Sequence, residues 1–234
     1  MASRQQEKER RRQERLERER KEAAAAAARK RLQFVFGGVL TVAIVAGVVA
    51  LAAGALGGGS DDGAKQAPTT PSVKLPPQKT TSLTVAAKAA GCVVRNPPIE
   101  GNTHETKNFK ESDYKTNPPT SGNHNPDWYQ DGIYNPGTTP RLGMLVHPLE
   151  HGRIEVQYKP GTAQRVEQQL ESFFSEQDQG YHMLLFQNTT NMPYAVAATA
   201  WGHMLGCPTM NDRVFDALRT FRAAWIDKGP EKVP

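Results

Sequence analysis

Beyond its first 33 residues this chain has no excess of positive charge. Residues 1–33 carry 12 Lys and Arg against 6 Asp and Glu, whereas the remaining 201 residues carry 17 against 18. The net charge of +5 therefore belongs to the N-terminal tail, and the rest has nothing with which to attract nucleic acid. A DNA or RNA partner is excluded on that ground. There is no Gly-rich phosphate loop of the P-loop type and no dinucleotide fingerprint. There is no serine nucleophile elbow either, since Ser121 is not flanked as an elbow demands. No internal repeat is present. Cysteine is scarce, with Cys92 and Cys207 the only two in 234 residues.

Charge is also missing from one long stretch. Phe34 to Leu56 is a run of 23 uncharged residues rich in Val, Ala, Leu, Ile and Gly. As a helix it would span roughly 35 Å, enough for a hydrocarbon core of about 30 Å. A signal-peptide core is normally about 7–15 residues and lies nearer the start, so the run reads as a membrane anchor. Arg29, Lys30 and Arg31 precede it and Asp61 and Asp62 follow it. The positive-inside tendency then places the N-terminus in the cytoplasm and the C-terminal part outside the cell membrane. Both cysteines fall on that outer side, where an oxidising compartment favours a disulfide between them. Such a bridge would close a loop of over 100 residues, contributing up to about 4–5 kcal/mol by chain entropy. Soft metal ligands or a reactive dithiol are the alternatives.

Four segments are expected. Residues 1–33 form a charged cytoplasmic tail, either a solvated helix or a disordered arm, whose basic excess suits anionic headgroups. Residues 34–56 are the transmembrane helix, and 57–82, rich in Gly, Pro, Ser, Thr and Lys, are a flexible linker. Residues 83–231 form a single extracytoplasmic domain. Within it, 104–142 is a long Asn-, Pro- and Gly-rich loop. Leu145-Val146-His147 and the alternating Ile154-Glu155-Val156-Gln157-Tyr158 read as strands. Met183 to Phe186 and Tyr194 to Trp201 are two more. Gly161 to Gln177 and Arg213 to Ile226 are amphipathic helices. The fold class is α+β, with a small mixed or antiparallel sheet and two main helices. Its strand, helix, strand, hairpin and closing helix loosely resemble half of a thioredoxin-like unit, by fold-level analogy alone.

Histidine is the informative residue, and all six, His104, His124, His147, His151, His182 and His203, lie in the outer domain. The densest group is His147-Pro148-Leu149-Glu150-His151, with His124 a loop away. Three imidazoles and a carboxylate can hold zinc, while His with Met suits copper, particularly Cu(I). Met183 and Met204 each adjoin a histidine. The expected metal ligands are His124, His147 and His151, with Glu150 as a fourth ligand or as a residue that orients one. Met204 and His203 are further candidates. Trp128 and Tyr134 could wall the pocket. The spelling H-x-x-E-H also matches an inverted zincin protease motif, which needs a helix. Pro148 disfavours helix at His147, so that reading comes third. The second reading is a non-catalytic envelope interaction module with structural histidines, whose partner is another membrane or wall protein.

Asn117-Pro118-Pro119-Thr120-Ser121-Gly122-x-His124, Gly132-x-Tyr134, Val146-His147-x-Leu149-Glu150-His151-Gly152-Arg153 and Met192-Pro193-Tyr194 occur in that order. Together with Ala198-Thr199-Ala200-Trp201, Cys207 and Ala217-Leu218-Arg219, they resemble the bacterial family called domain of unknown function 3105, over roughly residues 83–231. The resemblance implies an N-terminal anchor, an extracytoplasmic domain, and motif status for His124, His147, Glu150 and His151. It implies no activity. His203 lies outside the shared pattern. The leading expectation is a membrane-anchored, extracytoplasmic metal-binding protein, with copper slightly ahead of zinc.

Overall fold

Ile154–Tyr158 is the strand around which the domain is built, and its alternation shows why. Ile154, Val156 and Tyr158 join a large apolar core, while Glu155 and Gln157 point to the other side, and all five are buried. The structure, a computed structural model, describes residues 64–65 and 72–232. The chain divides into two units, Met1–Gly58 and Gly59–Pro234, and every described residue lies in the second. The expected transmembrane helix at 34–56 falls outside the described residues. Among those described, no helix is long and apolar enough to cross a membrane.

The fold is mixed α+β. In chain order the elements are β1 (Ala64–Lys65), α1 (Leu83–Ala90), β2 (Val93–Arg95), β3 (Gly132–Tyr134), α2 (Leu142–Glu150), β4 (Ile154–Tyr158) and α3 (Gln164–Glu176). They continue with β5 (Met183–Gln187), β6 (Val196–Ala200), β7 (His203–Cys207) and α4 (Val214–Trp225). The sheet runs β1-β3-β5-β4-β6-β7-β2. β3, β5 and β4 are parallel neighbours, and the pairings of β1, β6, β7 and β2 are antiparallel. The strands read at 154–158, 183–186 and 194–201 are present as β4, β5 and β6 and the two helices as α3 and α4, while β7, which pairs with β6, lies where no strand was read.

The two faces of the sheet are covered differently. Against one face pack α1, α3 and α4, whose Leu170, Phe173, Phe174, Leu218 and Phe221 meet Ile154, Val156, Leu185 and Leu205. Each such large side chain contributes about 1.5–3 kcal/mol on burial. The Cys92–Cys207 disulfide is formed and joins the segment after α1 to the end of β7. Against the other face lie α2 and the long segment between β2 and β3. Here Glu155, Gln157 and Thr199 are fully buried and bonded to one another: Gln157 Nε2 donates to Glu155 Oε2 at 3.0 Å and to Thr199 Oγ1 at 3.0 Å. Asn188 Nδ2 donates to Gln157 Oε1 at 2.6 Å. The thread reaches the long loop through Thr190, whose hydroxyl bonds Asn188 and Asn117.

Three expectations are corrected. Leu145-Val146-His147 is helix, not strand. Pro148 sits in the last turn of α2, where its missing N–H leaves one bond unmade, and Gly152, at φ 84°, ends the run in the left-handed region only glycine adopts freely. Burial of every residue from Gly143 to Glu150 outweighs the local penalty. There are four helices of eight or more residues among the described ones, not two. Finally, the end of the expected linker is bound to the domain. Val73 N donates to Ser172 Oγ at 3.0 Å, Lys79 N to Asp216 Oδ2 at 3.0 Å, and Arg219 Nη1 to Pro76 O at 3.0 Å. An extended Pro-rich strand has no hydrogen bonds of its own to satisfy it, so α3 and α4 supply them.

Candidate metal centre

Helix α2 carries His147, Glu150 and, at its C-terminal boundary, His151. These are at positions i, i+3 and i+4 and therefore share one face. The Nε2 atoms of His147 and His151 are 3.0 Å apart. The long loop delivers two more imidazoles to that face. His104 and His124 are joined by a single parallel bridge, with Glu105 N donating to His124 O at 2.7 Å and His124 N to Thr103 O at 3.1 Å. Asn125 N then donates to Gly143 O at 3.0 Å, laying this ribbon across the start of α2. Only glycine permits that approach, because a Cβ at 143 would overlap the Phe109 ring and Asn125 Oδ1.

The rings that result are neighbours. Centroids are 4.8 Å apart for His104–His124, 4.6 Å for His104–His147, 4.8 Å for His124–His147 and 4.5 Å for His147–His151. One donor atom each from His104, His124 and His147 lies within 4.8 Å of the others. Glu150 Oε2 is 3.1 Å from His124 Nε2 and 3.8 Å from His104 Nε2. Trp128 lies against His147 and His151, each at 4.9 Å, and Trp201 meets His124 edge-on at 6.0 Å. The site is thus walled by indoles and open where His104, 43% exposed, faces solvent.

Hydrogen bonding decides which nitrogens face inward. His124 Nδ1 is 2.8 Å from Gly122 O and His147 Nδ1 is 2.8 Å from Asn125 O. A carbonyl only accepts, so both Nδ1 atoms carry the proton and both Nε2 atoms present lone pairs to the centre. His124 Nε2 and Glu150 Oε2 approach each other without forming a hydrogen bond, and both are buried and unpartnered. His151 Nδ1 is likewise unpartnered. Burial holds the imidazoles of His124, His147 and His151 below the ordinary histidine range, His147 at about 4. Burial also pushes the Glu150 carboxyl up. His124, His147 and His151 are therefore neutral at neutral pH.

His124, His147, His151 and Glu150, the residues singled out in the sequence, are brought together. His203 and Met204 do not join them. His203 stacks on Trp225 at 3.3 Å, with Nδ1 2.7 Å from Asn96 Oδ1. Met204 packs with Met192, Tyr194 and Ala197. Tyr134 is sheet core, its hydroxyl donating to Gln130 O. Two participants escaped the sequence reading. His104 stands 43 residues before His147 in an irregular segment, with no motif around it; its only signal was membership of the outer domain's histidine set. Glu231, whose Oε2 is 3.4 Å from His151 Nε2, lies in the C-terminal tail and gave no signal at all.

A family model described as "Protein of unknown function (DUF3105)" matches residues 104–233, more than half of the chain. The chain belongs to this family. The DUF3105 match begins at His104 and takes in every residue of the cluster, including Glu231, while α1, β2 and Cys92 precede it. No curated protein and no solved structure matches the chain.

Proposed function

We propose that this DUF3105 protein is a membrane-anchored, extracytoplasmic metal-binding protein whose centre is His104, His124, His147, His151 and Glu150. One observation carries the reading. Two buried acceptors, His124 Nε2 and Glu150 Oε2, meet at 3.1 Å without a hydrogen-bond partner, where the Nδ1 bond of His124 has already used its ring proton. Lone pairs so placed repel one another unless a cation lies among them, and leaving them unpaired costs about 1–3 kcal/mol each. Imidazole with carboxylate suits Zn(II) or Cu(II). The thioether argument for Cu(I) weakens with Met204 packed elsewhere. The anchor rests on the apolar run at 34–56, and the Cys92–Cys207 bridge supports an oxidising compartment.

A hydrolytic role for the same metal is the second reading, and α2 favours it. The helical objection to H-x-x-E-H falls away, because His147 and His151 sit one turn apart with their Nε2 atoms converging. Glu150, buried with a raised pKa, would then move a proton beside the metal. An interaction module with purely structural histidines is disfavoured by the inward, unpartnered Nε2 of His124.

The test is a metal titration of the full-length chain in detergent with Zn(II) and Cu(II), beside the His147→Ala, His151→Ala double variant. Tight stoichiometric binding that weakens at least about 100-fold in the variant is expected. A folded chain, by circular dichroism, that takes up neither ion would overturn the proposal.

A further inference from the structure

Two sets of close donor contacts can be traced through the centre, one around each carboxylate. Glu150 Oε2 is approached by His124 Nε2 at 3.1 Å and His104 Nε2 at 3.8 Å. On the other side His151 Nε2 is 3.0 Å from His147 Nε2 and 3.4 Å from Glu231 Oε2. Each group is two imidazoles and one carboxylate, a recurrent set for a divalent transition metal with open positions. A single ion fits the whole assembly poorly. His104, His124 and His147, whose donor atoms lie within 4.8 Å of one another, are enough for one ion and leave His151, Glu150 and Glu231 over. Six side-chain donors also exceed the four of a closed tetrahedral zinc site. Where two metals share a site they stand about 3.5–4 Å apart.

Glu231 is not a stray tail residue. Asp227 N donates to Gly152 O at 3.0 Å and Glu231 N to Glu150 O at 3.1 Å, which straps the C-terminal segment across the end of α2. Gly229 lies so close to Glu150 O and Gly152 N that no side chain fits there. The strap therefore brings a second carboxylate to the side of the cluster that Glu150 does not serve. It leaves that carboxylate 48% exposed at the mouth.

We propose that the centre is binuclear, holding one divalent ion on His104, His124 and Glu150 and a second on His147, His151 and Glu231. The inference rests on the metal-binding reading and adds to it the number of ions and a ligand from the C-terminal strap.

The experiment is metal analysis and titration of the full-length chain with Co(II) and Cu(II), in wild type and Glu231→Gln, with Cu(II) electron paramagnetic resonance at half and full loading. Two ions per chain are expected, and at full loading the neighbouring Cu(II) spins couple, so the signal per copper falls below that at half loading. Glu231→Gln should drop the stoichiometry from two to one, or weaken the second ion at least tenfold, while the melting curve without metal is unchanged. His104→Ala should weaken the other ion instead. One ion per chain in wild type, unaltered in Glu231→Gln, would overturn the binuclear inference and leave the single-ion reading standing. No ion bound by the folded chain would overturn both.

Discussion

The two faces of the central sheet have been given opposite chemistry. The face under α1, α3 and α4 is closed by Phe173, Phe174, Phe215, Leu218 and Phe221 and stapled by the Cys92–Cys207 bridge. The face under α2 and the long loop buries Glu155, Gln157, Thr199, His124, His147 and His151 instead. Apolar area on the first side supplies stability without direction. On the second side, polar groups out of water must be satisfied one by one, so each bond there fixes a position. The comparison teaches that the apolar face holds the domain together, and that its stability is what tolerates a face built for a site.

The contrast is broken most strongly from the apolar side. Phe173→Ala, at a fully buried position of α3, should cost about 3–5 kcal/mol. In urea melts its midpoint should fall far below wild type, while metal affinity per folded molecule stays the same. On the polar side, Gly143→Ala should do the reverse in kind. Forcing Phe109 and Asn125 away from α2 costs about 1–3 kcal/mol of stability, but it also moves His124 away from His147, so metal affinity should fall by well over tenfold. Equal affinity in that variant would show that the ribbon does not need its fit to α2.

Glu155 sharpens the comparison through pH. Burial raises its carboxyl well above the ordinary value of 4.5, with the Thr199 hydroxyl opposing the shift only in part. The folded chain keeps a proton there that the unfolded chain releases, so this group's penalty is absent below about pH 4.5 and grows as pH rises above it. Glu155→Gln should therefore match wild type in acid and exceed it at pH 7–8, with the difference in urea midpoint widening with pH. A constant difference would mean that Glu155 is ionised in the fold. The smallest stability effect belongs to His104→Ala. At 43% exposure the loss should stay within about 0.5 kcal/mol, yet metal affinity should drop, which thermal melts and titrations of the same sample would separate.

How far the sequence showed all this varies from element to element. β4 was legible because alternation of Ile154, Val156 and Tyr158 with Glu155 and Gln157 is a period-two signal that no neighbour can reverse. The helices at 164–176 and 214–225 were legible through their apolar stripes. α2 was not, because its signal, Pro148 in a short run, is a local penalty, and the burial that outweighs it comes from the sheet and the loop. The site was half legible. His147, Glu150 and His151 are close in the chain and were seen together. His104 and Glu231 lie 127 residues apart, numbered 104 and 231, and nothing local marks either.

The sequence by itself determined the composition of the molecule's parts: the charged tail, the apolar run, an α+β domain, its family motifs, and the histidines as the residues worth following. Tertiary structure alone decided that 145–147 would be helix, that the Pro-rich stretch from Ser72 would be bound, and that His104, His124 and Glu231 would face His147, Glu150 and His151 on α2. The reason is one of range. Periodicity and turn chemistry act over a few residues and survive any packing, whereas a buried donor set exists only once the chain has closed loops of tens of residues, and its loop-closure entropy is offset by contacts no local pattern records.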